Sequence, residues 1–409
     1  MIAKTNVPAL ELIRSPNFGA LWLAQVASRF GDPITLIALA YVSYAETRSA
    51  LVTAIAIVMV TVPNALFGFV GGAIADAIGH RRAMVWCDLA RVVLVGLVPI
   101  ALGLGLPLAV PYFLVFAAAS CGAIFYPARL ALVPRIVGAR ELSGANALTY
   151  SSDRSVEVVG ALAAGFLVAT IGTRAFYVDA LTFLLSAVLL TRIRVDEWRR
   201  PIALRSLTHE AGEGLRFLWR HAALRANTIL SLICQLSVPV VSSLAPSLIF
   251  QRYAGGNVQL GASQFGIAEG AIAAGAVVGG VLIVSRLTLF PQGKVLLAGF
   301  AIYGLFLVAL ALASSFELAV VLFAILGVVN VVFYVPNVTL SQELTPPELR
   351  ARVFGTRIAL LNLSWLPVIV LSGALADAVS IPLLIGVAGL VTVIGAVVGA
   401  FIPIVRDVA

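Results

Sequence analysis

The chain has 409 residues, of which 61% are hydrophobic and only 11% are charged, and its mean hydropathy is +1.06. A soluble protein carries about 25% charged residues, so this composition excludes a soluble enzyme and predicts a polytopic membrane protein. The net charge of +8 would suggest a nucleic-acid partner in a soluble chain, but most arginines lie in loops between apolar segments, so we expect none. The cysteines, Cys87, Cys121 and Cys234, lie in or beside apolar segments and predict neither a disulfide framework nor a metal cluster.

Twelve segments have the length and composition of membrane spans, each of which needs about 20 mostly apolar residues. They cover residues 18–44, 51–75, 83–104, 108–132, 143–170, 174–192, 226–250, 262–286, 293–313, 317–341, 354–377 and 381–404. We therefore predict an all-α membrane protein with an N-terminal six-helix bundle over 1–192 and a C-terminal one over 226–409. The linker over 193–225 contains the stretch HEAGEGLRFLWRH, which predicts a basic amphipathic helix on the membrane surface.

Positive charge is concentrated in alternate loops and in the linker. The basic residues on this side include Arg81, Arg82, Arg135, Arg140, Arg199, Arg200, Arg286, Lys294, Arg350 and Arg352. Because cytoplasmic loops carry the excess of lysine and arginine, we expect this side, and with it both termini, to be cytoplasmic.

The two halves of the chain resemble each other at an offset of 208 residues. Gly71-Gly72 maps onto Gly279-Gly280, Phe125-Tyr126 onto Phe333-Tyr334, and Gly165 onto Gly373. Each Phe-Tyr pair is followed by a proline within two residues. These matches predict a duplicated six-helix unit.

The loop between the second and third spans, GGAIADAIGHRRAM, holds the most specific pattern in the chain. Gly72, Asp76, Gly79, Arg81 and Arg82 have the spacing G-x-x-x-D-x-x-G-x-[RK]-[RK]. This pattern resembles the loop between helices 2 and 3 of the major facilitator superfamily of secondary transporters. The resemblance implies two parallel six-helix repeats, a substrate site near the bilayer midplane and a role for this loop in gating.

Several further stretches resemble the macrolide-efflux and siderophore-export branch of the drug:proton antiporters in this superfamily. They are NFGALWLAQVASRFGD from Asn17, DLAR from Asp88, YPARLALVPR from Tyr126, LSGANAL from Leu142, DALTFLLSA from Asp179 and ELTPPELRARVFG from Glu343. The chain departs from the family patterns at Ala77, where a basic residue is usual, and at Ala161, where a proline associated with antiport is usual.

The resemblance implies a monomeric secondary transporter of the cell inner membrane, without a cofactor, that exports a lipophilic or amphipathic small molecule in exchange for protons. Uptake and lipid flipping are alternatives within transport, and a non-transporting sensor or scaffold is the alternative outside it. The chain contains no Walker A, H-E-x-x-H or usable G-x-S-x-G motif, which disfavours an enzyme.

Ionisable residues within spans are candidates for proton coupling, since burying charge in a membrane is costly. Asp32 and Arg29 are three apart on the first span and share a helix face, so they can pair. Asp153 and Glu157 share a face of the fifth span, where Arg154 can reach Glu157, and Glu269 lies in the eighth. We predict proton coupling at Asp32, Glu157, Asp153 or Glu269, with structural Arg29–Asp32 and Arg154–Glu157 ion pairs as the alternative for the first and fifth spans.

Polar and aromatic side chains in the spans are candidates for the substrate cavity. They are Gln25, Arg29, Tyr126, Gln235, Asn330 and Tyr334. Phe125 and Phe333 join the two tyrosines in a predicted aromatic wall, although each polar group alone is more often an interhelical hydrogen bond.

Two further predictions concern charges of the N-terminal half. We expect Asp88, Arg91 and Arg129 to form a structural network beneath the Gly72–Arg82 loop, with Arg129 close to Asp76. We expect Asp179, near the outer surface, to serve helix packing or capping.

Overall fold

The computed structural model describes residues 9–138, 141–195, 204–283, 290–346 and 349–406, and this part of the chain contains helices and no strands. Of the predicted cytoplasmic cations, Arg140, Arg199, Arg200 and Arg286 lie outside the described residues. The all-α class predicted from the sequence is confirmed.

Apart from the short α1, the helices before residue 195 follow the predicted segments. They are α1 (Ala9–Arg14), α2 (Pro16–Thr47), α3 (Ala50–Ile78), α4 (His80–Gly103), α5 (Ala109–Ile136), α6 (Leu142–Ile171) and α7 (Ala175–Thr191).

The later helices include one in the predicted linker. They are α8 (Leu204–Arg220), α9 (Ala222–Cys234), α10 (Ser237–Leu248), α11 (Val258–Val278), α12 (Gln292–Leu312), α13 (Phe316–Glu343), α14 (Arg350–Ala378), α15 (Ile381–Ala400) and α16 (Pro403–Arg406). Short π-helical stretches, Ile249–Tyr253 and Gly279–Ile283, extend α10 and α11.

Nine helices in the described part of the chain are long and apolar enough to cross a membrane. This finding establishes a multi-pass membrane protein, while the count of twelve spans stays a prediction. The helices α2 and α3 are not among the nine.

The chain forms two compact units. The first comprises the described residues of Met1–Val42 and Met59–Ala203, and the second those of Ser43–Val58 and Leu204–Ala409. The predicted bundles over 1–192 and 226–409, with their linker, remain a prediction about domain organisation.

In the second unit, the 43–58 segment is held by the end of α14. The carboxylate of Asp377 accepts hydrogen bonds from the Ser49 hydroxyl (2.6 Å) and from the backbone N–H groups of Ala50 (2.7 Å) and Leu51 (3.4 Å). An acidic side chain at a helix N-terminus satisfies unpaired N–H groups and complements the helix dipole. Asp377 therefore caps α3 from a distant helix.

Small residues let helices of the second unit approach closely. A Cβ atom added at Gly304 of α12 would lie 2.5 Å from the carbonyl oxygen of Gly389 of α15, and one added at Gly389 would lie 2.6 Å from the carbonyl oxygen of Gly304. Helix association in membranes depends on such close packing, because lipid is as apolar as the side chains. Alanine at either position would push the two helices apart.

The internal repeat predicted from the sequence has matching packing in the two units. Gly71 lies against the backbone of Ala123, so α3 packs closely on α5. Gly279, just after α11, lies against the backbone of Val328 in α13. The equivalent helices are thus paired in the same way within each unit.

The helix α8 lies within the predicted linker, and it packs on α14 in the second unit. Leu218 of α8 is fully buried with Leu224 and Val353. Arg352 of α14 donates a hydrogen bond to the carboxylate of Glu213. These contacts attach α8 to the protein, and its predicted placement on the membrane surface stays a prediction.

Candidate functional site

An ion pair joins α5 to α6 in the first unit. Arg129 of α5 donates a hydrogen bond to Asp153 of α6 at 3.0 Å, and the two side chains are 5% and 21% exposed. Gln25 of α2 donates to the other carboxylate oxygen of Asp153. Asp153 therefore ties three helices together and has a hydrogen-bond donor on each of its oxygens.

Two further ion pairs are local to their helices. Arg29 and Asp32 of α2 pair at 3.3 Å, and both side chains are 42% exposed. Arg154 and Glu157 of α6 pair at 2.7 Å and are similarly exposed. Both pairings follow from the three-residue spacing, which places the partners on one helix face.

The three ion pairs form one electrostatic cluster. Asp153 and Glu157 are close enough to Arg29 to interact with its charge. The cluster contains three arginines and three carboxylates, so it is neutral when every group is ionised. Protonation of any one carboxylate would leave a net positive charge, which is the electrostatic change that a coupled proton would produce.

Tyr126 and its neighbour on α5 have different environments. The guanidinium of Arg129 lies over the Tyr126 ring, 5.0 Å from its centroid, and the tyrosine side chain is exposed. Phe125 is buried, with the guanidinium of Arg91 5.2 Å from its ring centroid. Phe125 is thus a core residue, and its predicted place in an aromatic wall is wrong because its side chain faces the helix bundle.

A second polar group is fully buried between α4 and α7. Asp88 accepts hydrogen bonds from Ser186 (2.6 Å) and from Arg91 (3.5 Å). Asp179 of α7, also fully buried, accepts one from Thr35 of α2. A Cβ atom at Gly31 would collide with Asp179. These contacts support the packing role expected for Asp179.

The predicted network beneath the Gly72–Arg82 loop needs correction. Arg129 pairs with Asp153 rather than with Asp76 or Asp88, because the α5 side chain points toward α6. Asp76, near the end of α3, instead pairs with His80, the first residue of α4, at 2.8 Å across the turn at Gly79. His80 is buried, and sequence reasoning missed it, because the helix spacing rule does not apply across a turn.

The predicted Gly72–Arg82 loop is helical except at Gly79, where the chain turns between α3 and α4 with a φ of 101° that strongly favours glycine. Arg81 then donates hydrogen bonds to the backbone carbonyls of Thr191 (3.2 Å) and Ile193 (3.1 Å) at the end of α7. Arg81 therefore satisfies carbonyl groups that the end of a helix leaves unpaired.

The predicted site residues of the second unit are not brought together by any described hydrogen bond. Gln235 is buried where α9 meets α10, and Asn330 is half-buried on α13. Glu269 is half-buried on α11. Tyr334 of α13 is exposed, whereas the preceding Phe333 packs against Phe300 and Tyr303 in the core. Phe333 therefore also lies outside any aromatic wall.

Sequence reasoning missed a buried arginine of the second unit, Arg357 of α14. It is 4% exposed and hydrogen-bonded to residues of α9 and α13. The available signal was an arginine two turns inside an apolar span, where charge is costly.

The nine helices of the described chain that are long and apolar enough to cross a membrane define a polytopic membrane protein. The model for the transmembrane secretion effector family matches residues 8–407, and the chain belongs to this family of the major facilitator superfamily. The protein is therefore a multi-pass membrane transporter of small molecules and not an enzyme.

Individual relatives agree with this assignment. The multidrug efflux pump Tap of Mycolicibacterium fortuitum is 27% identical over 412 residues, which cover 96% of this chain and 97% of that protein. The crystal structure of peptide transporter POT in complex with sulfate has a TM-score of 0.73 at 12% identity, covering 98% of this chain and 99% of the other. A mutant of the nucleoside transporter NupG gives a TM-score of 0.72 at 11% identity, covering 94% and 98%. The two structures support the fold alone.

Arg129→Gln tests the link between α5 and α6. We expect the substitution to lower the free energy of unfolding by about 1–3 kcal/mol, because it leaves the Asp153 carboxylate without its cation. Thermal unfolding of the purified protein measures the change. The double variant Arg129→Gln/Asp153→Asn should recover part of the loss, and equal loss in both variants would contradict an ion-pair role.

Proposed function

We propose that the protein is a proton-coupled exporter of lipophilic or amphipathic small molecules that works by alternating access in the cell inner membrane. The observation that carries this proposal is the half-exposed Arg29–Asp32 pair, which belongs to a cluster of three ion pairs on α2, α5 and α6 whose charges sum to zero. The Mycolicibacterium relative is a multidrug efflux pump by name, which supports the direction of transport.

Among the carboxylates, Asp32 is the best candidate for carrying the proton. Asp153 is held by Arg129 and Gln25 and is mostly buried, which suits a structural role. Asp32 is 42% exposed, so a proton can reach its carboxylate. Its one cationic partner, Arg29, lies at 3.3 Å, so the hydrogen bond that a proton must compete with is long. Glu157 is the second candidate, since it is accessible but bonded to Arg154 at 2.7 Å. Glu269 lies on α11, away from this cluster in sequence.

The substrate class rests on aromatic and polar groups near the cluster. Tyr126 presents an exposed ring beside Arg129, which suits a molecule with both apolar and polar parts. Gln25, by contrast, is buried and already bonded to Asp153, so it serves the cluster rather than a substrate.

Uptake or lipid flipping without proton exchange is the second candidate function. Its support is Ala161 of α6, a buried alanine at the position where the resembled antiporters carry a proline. A non-transporting sensor has no such support.

Asp32→Asn tests the proton coupling. The change removes the titrating group, so accumulation driven by a pH gradient should disappear while substrate binding and counterflow remain. Transport of lipophilic dyes and antibiotics into proteoliposomes, with and without the gradient, measures both. Glu46→Gln, at the exposed end of the same helix, is the matched control. Normal gradient-driven accumulation in both Asp32→Asn and Glu157→Gln would rule out these carriers and favour lipid flipping or uniport.

The Gly72–Arg82 loop is proposed to stabilise one transport state through the Asp76–His80 contact. Asp76→Asn should reduce transport about 5- to 150-fold, because a charge-dependent bias of about 1–3 kcal/mol on the state equilibrium is lost. Initial rates in proteoliposomes, corrected for the amount of inserted protein, give the effect. Glu141→Gln, which alters a carboxylate between α5 and α6, serves as the control. Full activity of Asp76→Asn would show that the Gly72–Arg82 segment only connects two helices and has no gating role.

The proposed orientation places both termini, the linker and α8 in the cytoplasm. A cysteine at Gly212 of α8, where a side chain has open space, should be protected from an impermeant thiol reagent in intact cells. A cysteine at Gln259, at the start of α11, should react, because this end is proposed to face outward. The opposite labelling pattern would reverse the topology.

A further inference from the structure

Arg357 is held rigidly inside the second unit. Its Nη1 donates hydrogen bonds to the backbone carbonyl of Asn337 (3.1 Å) and to the hydroxyl of Ser341. Its Nη2 donates to the hydroxyl of Ser231 (3.1 Å) and to the side-chain oxygen of Asn337. The guanidinium is thus fixed by groups from α9 and α13, and every one of these acceptors is neutral.

The positive charge of Arg357 has no counter-ion in the described part of the chain. No described carboxylate forms an ion pair with it, and its Nε has no hydrogen-bond partner. The side-chain oxygen of Asn227, whose amide donates to Asn337 at 3.3 Å, is also without a partner. A buried charge is costly unless a group of opposite sign lies against it, so this cluster lacks an anionic group next to Arg357.

Comparison with the equivalent contact of the first unit shows that the absent group is a carboxylate. The offset of 208 residues places Asn337 at the position of Arg129. In the first unit, α5 and α6 are joined by the Arg129–Asp153 ion pair. In the second unit, the equivalent helices α13 and α14 are joined by Asn337 and Arg357. The arginine here lies on α14, the equivalent of α6, whereas Arg129 lies on α5. The carboxylate of the first unit thus has no counterpart among the described residues of this contact.

Tyr334 gives the cluster an exposed aromatic neighbour. It precedes Asn337 by one helical turn, and its side chain is 55% exposed. It is close enough to Arg357 to interact with the charge. A ligand that reaches Arg357 past Tyr334 would therefore place an apolar part against the ring and a polar group at the guanidinium.

We propose that Arg357 binds the anionic group, a carboxylate or a phosphate, of an amphipathic molecule whose apolar part lies along Tyr334. A guanidinium presents paired donors that match these anions, and charge-assisted hydrogen bonds are stronger than those made to hydroxyls and amides. The anion can therefore displace the neutral acceptors of Ser231 and Ser341. This site rests on the proposed function and gives the exporter a preference for amphipathic anions.

The test compares matched ligands on the full-length protein in nanodiscs of phosphatidylcholine. Binding of decanoate, decanol and decyltrimethylammonium is followed by intrinsic tryptophan fluorescence and by the shift in thermal unfolding. We expect the wild type to bind decanoate about 10-fold more tightly than decanol, the gain typical of charge-assisted hydrogen bonds. Arg357→Gln should bring this ratio close to one.

Asn337→Asp separates binding from structure. The new carboxylate lies beside Arg357 and supplies the counter-ion internally, so the protein should unfold at a higher temperature yet lose its preference for decanoate. Arg350→Gln, which changes an exposed arginine of the same helix, should keep the preference. Retention of the preference in folded Arg357→Gln, or in a stabilised Asn337→Asp, would overturn the proposal.

Two further measurements complete the test. One shows whether the bound anion is a lipid headgroup, and the other distinguishes failure of the Arg357 site from failure of the exporter proposal. If a phospholipid headgroup occupies the site, phosphatidylglycerol in the nanodisc should abolish the decanoate preference and stay bound to wild type, but not to Arg357→Gln, in native mass spectrometry. If decanoate binds through Arg357 while proteoliposomes accumulate no compound, the exporter proposal fails and the site stands. If cationic or neutral drugs accumulate but decanoate has no advantage, the site fails and the exporter proposal stands.

Discussion

A charged side chain within a membrane span has little water to solvate it, so its stability depends on what the protein places against it. In the first unit this constraint is met by ion pairs that fix helix orientation. Asp153 of α6 takes one hydrogen bond from Arg129 of α5 and one from Gln25 of α2, which sets the rotation of three helices about their axes. Asp88 and Asp179 do the same for the contacts of α7 with α4 and α2. Close packing at small residues then completes the bundle without needing a hydrophobic driving force.

The same constraint divides the carboxylates into two kinds. Those that are held by several donors and are mostly or fully buried serve architecture, as Asp88 and Asp153 do. Those with one partner and substantial exposure, Asp32 and Glu157, can change protonation without dismantling a helix contact. The proposed proton coupling needs both kinds, because a proton that binds at a structural carboxylate would weaken the helix contact which that carboxylate holds.

The two units share a packing plan and differ in their charges. Gly71 and Gly279 bring equivalent helices together, and each Phe-Tyr pair has its phenylalanine buried and its tyrosine exposed. The three ion pairs that join or lie along α2, α5 and α6 in the first unit balance in charge, whereas Arg357 of the second unit has only neutral partners among the described residues. The two units therefore differ in side-chain chemistry and not in helix arrangement, since Asn337 stands at the position of Arg129 in an otherwise equivalent helix contact.

The sequence by itself determined the helices, the membrane class, the internal repeat and the two ion pairs with three-residue spacing, because all of these depend on composition or on neighbours within one helical turn. Only the tertiary structure decided that Arg129 pairs with Asp153, that Asp76 contacts His80 rather than Arg129, and that Phe125 and Phe333 are core residues. An apolar span has hydrophobic side chains on every face, so its sequence does not reveal which face meets another helix. Partners from different helices become defined only when packing fixes the rotation of each helix.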